Sequence, residues 1–257
     1  MAHAGRKASH SSPWTGGKVV SETEGGWQTV APSALPFTEG DLIPAELTIE
    51  GIEKVKTDFR AAAMRALEAG FKVIEIHAAH GYLLHEFYSP LSNHRIDNYG
   101  GSFENRIRLT LEVVEAVREV VPEDFPLFVR ISATDWTEGG WTGEDSVALA
   151  KELKARGVDL IDCSTGGNMP KANIPVGPLY QLQFAESVKR EAGIRTGAVG
   201  MITSAQEAES IITDGKADLV LLAREFLRDP NFPLHAAHEL GVDVAWPVQY
   251  ERAKPRN

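Results

Sequence analysis

Two histidines and a tyrosine fall within six residues in the run Ile74-Glu75-Ile76-His77-Ala78-Ala79-His80-Gly81-Tyr82. They follow an apolar stretch, residues 71–76, that reads as a short buried strand entered from a helix stopped at Gly70. Titratable groups bunched where a strand ends point to an α/β barrel, which builds its active site from the loops at that end of its strands. A His-x-x-His pair is open to several chemistries. With His85 it could supply metal ligands, as in a metal-dependent barrel hydrolase. Such barrels usually add a carboxylate at another strand end, whereas the last strand here runs into Ala223-Arg224. The pair could also be structural, with each ring satisfied by neighbours, or it could face a catalytic pocket.

Other residues carry charge or backbone freedom where a site would need them. Arg130 lies inside the apolar run Phe128-Val129-Arg130-Ile131-Ser132. A guanidinium there is costly without a partner, and Glu75 is one candidate for a buried ion pair. Gly197-Ala198-Val199-Gly200 and Leu222-Ala223-Arg224 close the last two strands. Backbone amides in those two turns form the recurrent phosphate cradle of α/β barrels. Gly200 would let the main chain approach, and Arg224 would add charge. Cys163, the single cysteine, reads as a core residue and allows no internal disulfide, which fits a cytoplasmic setting.

The elements that must position these groups follow from periodicity. Residues 1–47 are irregular, broken by Gly16-Gly17, Gly25-Gly26 and several prolines, and read as a long loop or lid. Ile52, Val55, Phe59, Ala63 and Ala66 then share one helical face, as do Ile107, Leu111, Val114, Val117 and Val121. Thr142 caps a helix carrying Val147, Ala150 and Leu153, and Ser204 with Glu207 forms a capping box. Helices are expected near 183–191, before Pro230 and over 233–240. Strands are expected at 126–132, 158–163, 196–199 and 218–222. Strands alternating with helices imply one parallel α/β domain over 1–257. Five strands are visible, with a sixth stub at Met1. Net charge is −10 and hydrophobic content 43%, which excludes nucleic-acid and anionic-membrane partners and leaves enough apolar mass for one core.

Several motifs together resemble one family: His77 to Tyr82, Ser89-Pro90-Leu91-Ser92-Asn93-His94-Arg95, Asp97, Tyr99-Gly100-Gly101-Ser102, Glu104-Asn105-Arg106, and Met1-Ala2-His3-Ala4-Gly5-Arg6-Lys7-Ala8 at the start. The chain resembles the Old Yellow Enzyme family of FMN-dependent ene-reductases and NADPH dehydrogenases, in the subgroup with a His-x-x-His pair. The resemblance implies a (β/α)8 TIM-type barrel from the third strand onward, lacking the first two, with FMN and NADPH as cofactors. It implies reduction of the C=C bond of α,β-unsaturated carbonyl compounds. His77 and His80 would bind the carbonyl oxygen of such an enone, and Tyr82 would protonate the α-carbon. Arg130 would lie against the pyrimidine end of the flavin, and Gly200, Ala223 and Arg224 would hold its phosphate. Arg252, in a tail over 241–257, would reach the pocket of a neighbouring subunit in a homo-oligomer. The absent strands imply weakened flavin binding. A non-catalytic barrel remnant serving as an interaction module is the alternative.

Overall fold

The structure is a computed structural model and describes residues 1–255. Helix α1 (Ile49–Glu68) starts where Thr48 Oγ1 accepts a hydrogen bond from Gly51 N, satisfying one of the free amides of the first turn. It buries Ile52, Val55, Phe59 and Ala63 and hands over through Gly70, whose φ of +83° suits glycine. The chain then enters a five-stranded parallel sheet whose strands lie beside one another in chain order. These strands are β3 (Ile74–Ala78), β4 (Leu127–Ser132), β5 (Leu160–Ser164), β6 (Arg195–Val199) and β7 (Leu219–Leu221). Helices α3 (Phe103–Arg118), α4 (Gly143–Ala155), α5 (Leu182–Ala192) and α6 (Ala205–Thr213) supply the crossovers. The core lies between the helices and the sheet, where Val113, Val117, Val129, Ile131, Leu149 and Leu153 are all fully buried.

Register decides which side chains share a level. His77 pairs with Arg130, Arg130 with Asp162, and Asp162 with Gly197, so four strands present these residues to the same face. The outer edge of β3 is covered by the first residues of the chain. His77 N donates to Met1 O at 2.8 Å and Leu83 N to His3 O at 3.0 Å, so the expected stub runs beside the sheet. Among the described residues, β7 has no strand on its other side.

Several boundaries differ from the sequence expectation. Phe71 and Val73 are 64% and 42% exposed, and the strand begins only at Ile74. Helix α2 (Leu83–Tyr88) was not anticipated, and all six of its residues are buried. Helix α3 starts at Phe103, capped by Ser102, and stops before Val121. Residues 1–47 contain 3-10 turns at Gly5–Lys7, Pro13–Thr15 and Glu22–Glu24, and a two-residue parallel pair, β1 (Val30–Ala31) with β2 (Ala45–Glu46). Helices α7 (Arg224–Arg228) and α8 (Phe232–Glu239) stand where expected, and a last 3-10 turn covers Glu251–Ala253.

Candidate active site

The turn after β3 gathers the first group. The His77 and His80 rings lie 5.1 Å apart, and His77 and Tyr82 lie 5.3 Å apart, both edge to face. His80 has φ +60°, a left-handed conformation that is strained for a β-substituted residue and tends to persist only where its surroundings over-determine it. They do so here. His80 N donates to Ser132 Oγ at 2.8 Å, and its Nε2 lies 2.7 Å from Ser164 Oγ. Burial pushes the His77 imidazole down to about 4 and the His80 imidazole to about 3, with the Arg130 charge acting in the same direction. Both rings are therefore neutral at pH 7, and each carries one N–H.

On the neighbouring strand, at the level of His77, sits Arg130. Its ion-pair partner is Asp162 of β5, at 3.1 Å from Nε to Oδ2, rather than Glu75 as the sequence suggested. The contact is not aligned as a hydrogen bond, so Arg130 Nε and both Asp162 oxygens stay buried without a hydrogen-bond partner. Burial pushes the Asp162 carboxyl up to about 7 against the pull of Arg130, and burial raises Glu75 in the same way. A cationic group with unspent donor capacity, backed by acids that resist ionising, fits an anion or an electron-rich ring above it.

The third group lines a cleft of about 240 Å³ that includes Ser164, Gln181, Gly200, Ala223, Arg224 and Arg228. Gly200 has φ +129°, and a Cβ built there would stand 2.9 Å from Gln181 Nε2. Only glycine fits that approach. Gln181 is itself fixed, accepting from Thr165 Oγ1 at 2.6 Å and donating to Val199 O at 3.0 Å. Arg224 is exposed and makes no ion pair among the described residues. Main-chain amides, an unpaired guanidinium and a space that side chains leave open suit the phosphate of a flavin mononucleotide. Ser164, which lines this cleft, is also the residue that His80 Nε2 meets at 2.7 Å, so the two groups come together at Ser164.

Two expected residues lie elsewhere. His85 is buried and turned away, with Nε2 at 2.9 Å from Asp135 Oδ1 and Nδ1 accepting from Gly81 N, so it does not converge with His77 and His80. No three His, Cys, Asp or Glu side chains among the described residues are placed to hold a metal ion. Arg252 is exposed on the last 3-10 turn and does not line the cleft. Cys163 is fully buried and free, and burial raises its thiol. Ser164, Gln181 and Asp162 were not singled out from sequence. Asp162 had a signal, since an acid inside an apolar strand requires the same explanation as Arg130.

The model of the NADH:flavin oxidoreductase / NADH oxidase family matches residues 1–242. The chain belongs to this family, and its Old Yellow Enzyme character is thereby shown. It is 52% identical over 253 residues to an NADPH dehydrogenase of Bacillus velezensis, covering 98% of this chain and 70% of that protein. An NADPH dehydrogenase of Geobacillus thermodenitrificans is 54% identical over 252 residues, covering 98% and 69%. Among solved structures, morphinone reductase superposes with a TM-score of 0.69 at 30% identity, covering 86% of this chain and 62% of that one. A 2-naphthoyl-CoA reductase complex gives 0.77 at 30%, covering 84% and 34%. The protein is thus an oxidoreductase of the flavin-dependent barrel class, with FMN and NADPH as its cofactors. The chain spans about 70% of the length of these curated relatives. No helix among the described residues is long and apolar enough to cross a membrane.

Proposed function

We propose that the protein reduces the C=C bond of α,β-unsaturated carbonyl compounds, taking its reducing equivalents from NADPH. When bound, FMN would supply the hydride carrier between the nicotinamide and the β-carbon of the enone. The chain's own residues do the rest. Neutral imidazole N–H groups of His77 and His80 would bind the carbonyl oxygen and stabilise the negative charge that develops there, a role for which fixed donors serve better than mobile water. The Tyr82 phenol would deliver a proton to the α-carbon, the part of a general acid set beside a developing carbanion. Arg130 would face the ring, and Gly200, Ala223 and Arg224 would hold the phosphate. Arg252 would act only from a neighbouring copy. The observation that supports this reading is the contact of His80 Nε2 with Ser164 Oγ at 2.7 Å, because Ser164 also lines the cleft that holds Gly200 and Arg224, while the His77 ring beside His80 lies 5.3 Å from Tyr82.

The test is an anaerobic stopped-flow experiment on the chain saturated with FMN. NADPH should bleach the flavin, and cyclohexenone should restore its absorbance with formation of cyclohexanone. Reoxidation no faster than that of free reduced FMN would refute enone reduction. Failure to take up flavin would leave the interaction-module alternative standing.

A further inference from the structure

Lys7, in the run Gly5-Arg6-Lys7-Ala8, occupies a joint to which the function proposed above gives no role. It ends the 3-10 turn Gly5–Lys7, which is held from below by helix α2: Arg6 N donates to Glu86 Oε1 at 2.9 Å, and Gly5 packs so close that a Cβ there would overlap the Glu86 carboxyl. From this turn the Lys7 ammonium donates to His80 O at 2.8 Å and to Gly167 O at 2.6 Å. It also lies over the Phe37 ring at 4.2 Å and the Tyr82 ring at 5.5 Å. The two carbonyls belong to turns that follow different strands, β3 and β5, and these turns touch backbone to backbone. A Cβ on Gly167 would stand 2.7 Å from His80 Cα, and one on Gly81 would stand 2.2 Å from Gly167 O. Gly167 and Gly81 both have positive φ, at +85° and +71°.

We propose that Lys7 is a positioning residue, whose ammonium pins the His80 turn to the Gly167 turn and so holds the His80 imidazole and the Tyr82 ring on the pocket wall. Its importance for catalysis rests on the role given to His80 above. The geometry favours a cation over a neutral donor, because two carbonyl oxygens converge on one nitrogen and two aromatic faces complete its surroundings. Without the charge, two carbonyl dipoles would face each other across the joint. His80, already left-handed, would then have a strained backbone with one anchor fewer.

The test uses the chain with 15N-labelled histidine and no added flavin, comparing wild type with Lys7→Met, which keeps length and loses the donor. In the wild type, burial keeps His80 neutral down to about 3. In the variant the turn should open, and the His80 protonation constant should rise at least tenfold, with matching loss of exchange protection at the His80 and Gly81 amides. The Lys7 charge also holds His80 down directly, so Gly167→Ala, which keeps that charge and pries the same joint apart, separates the two causes and should move His80 in the same direction. A rise below tenfold in Lys7→Met would overturn the proposal, as would a Gly167→Ala variant whose His80 titrates like the wild type. Should Lys7→Met not fold, Lys7→Gln is read by the same criterion. Absence of enone reduction in the wild type would count against the function proposed above and leave this result standing.

Discussion

Replacing Asp162 with asparagine should flatten the pH dependence of stability between pH 5 and pH 8. Asp162 is 1% exposed, and its carboxyl is pushed up to about 7 from the ordinary 3.8, chiefly by burial. A raised carboxyl means that the folded chain keeps a proton that the unfolded chain has released. Its contribution is therefore fully present below about pH 4 and is lost as pH climbs through about 7. At about 1.4 kcal/mol per unit, a shift of roughly three units corresponds to about 4 kcal/mol over the whole range, of which about 2–3 kcal/mol falls between pH 5 and pH 8. Asparagine has the same shape and no proton to lose. Removing the Arg130 partner adds an offset, but that offset does not vary with pH. Other groups act in the same window: burial raises Glu75 in the same direction, while the depressed His77 and His80 act in the opposite direction. The difference between the two proteins removes the histidines, and Glu75, whose charge acts on Asp162, leaves only its coupling to that carboxyl. At about 2–4 °C per kcal/mol for a chain of this size, the wild type should lose about 5–10 °C relative to Asp162→Asn as pH rises from 5 to 8. Thermal melts followed by circular dichroism at four pH values measure it. Parallel curves, with a constant gap between the two proteins, would refute a buried, proton-holding Asp162.

Tyr82→Phe should slow reoxidation of the reduced flavin by an enone roughly 10²–10⁴-fold, the usual cost of losing a general acid, while reduction by NADPH stays near the wild-type rate. Stopped-flow traces of the two half-reactions separate these effects, and an unchanged oxidative half removes Tyr82 from the chemistry. His77→Ala and His80→Ala should each weaken binding of phenols to the FMN-loaded protein at least tenfold, read from the charge-transfer band. Equal titrations would mean that the pair does not face the ligand. Arg252→Ala should lower activity only at protein concentrations where copies associate, because Arg252 is exposed and does not line the cleft of its own chain. A concentration-independent loss would place its effect within one chain.

Helix and strand order was legible because most elements carry a one-sided apolar pattern and a stop. Helix α1 shows both in Ile52, Val55, Phe59, Ala63 and Gly70. Helix α2 was not legible for a physical reason: Leu83, Leu84, His85, Glu86, Phe87 and Tyr88 are all buried, so no polar face exists and no helical period can be seen. The reverse error arose at Phe71 and Val73. Their apolar character resembles the start of a strand, but both are exposed and the sheet begins beyond them. Two-residue strands such as β1 and β2 are too short to show any alternation.

Within the site, what lay close in sequence could be read and what lay across the sheet could not. His77, His80 and Tyr82 stand within one turn, so their association needed only the position of one strand end. Arg130 demanded an acid, and Glu75 was offered although β5 holds the partner. The two strands' register settles it: Glu75 lies opposite Phe128, one level below His77, whereas Arg130 lies opposite both His77 and Asp162. Parallel register is set by how the crossover helices pack, and a shift of one residue would turn Asp162 to the opposite face. The same holds for Lys7, whose two acceptors lie 73 and 160 residues away. Its charge was visible in the sequence, but the two carbonyls that require it come together only after β3 and β5 have paired with opposite edges of β4.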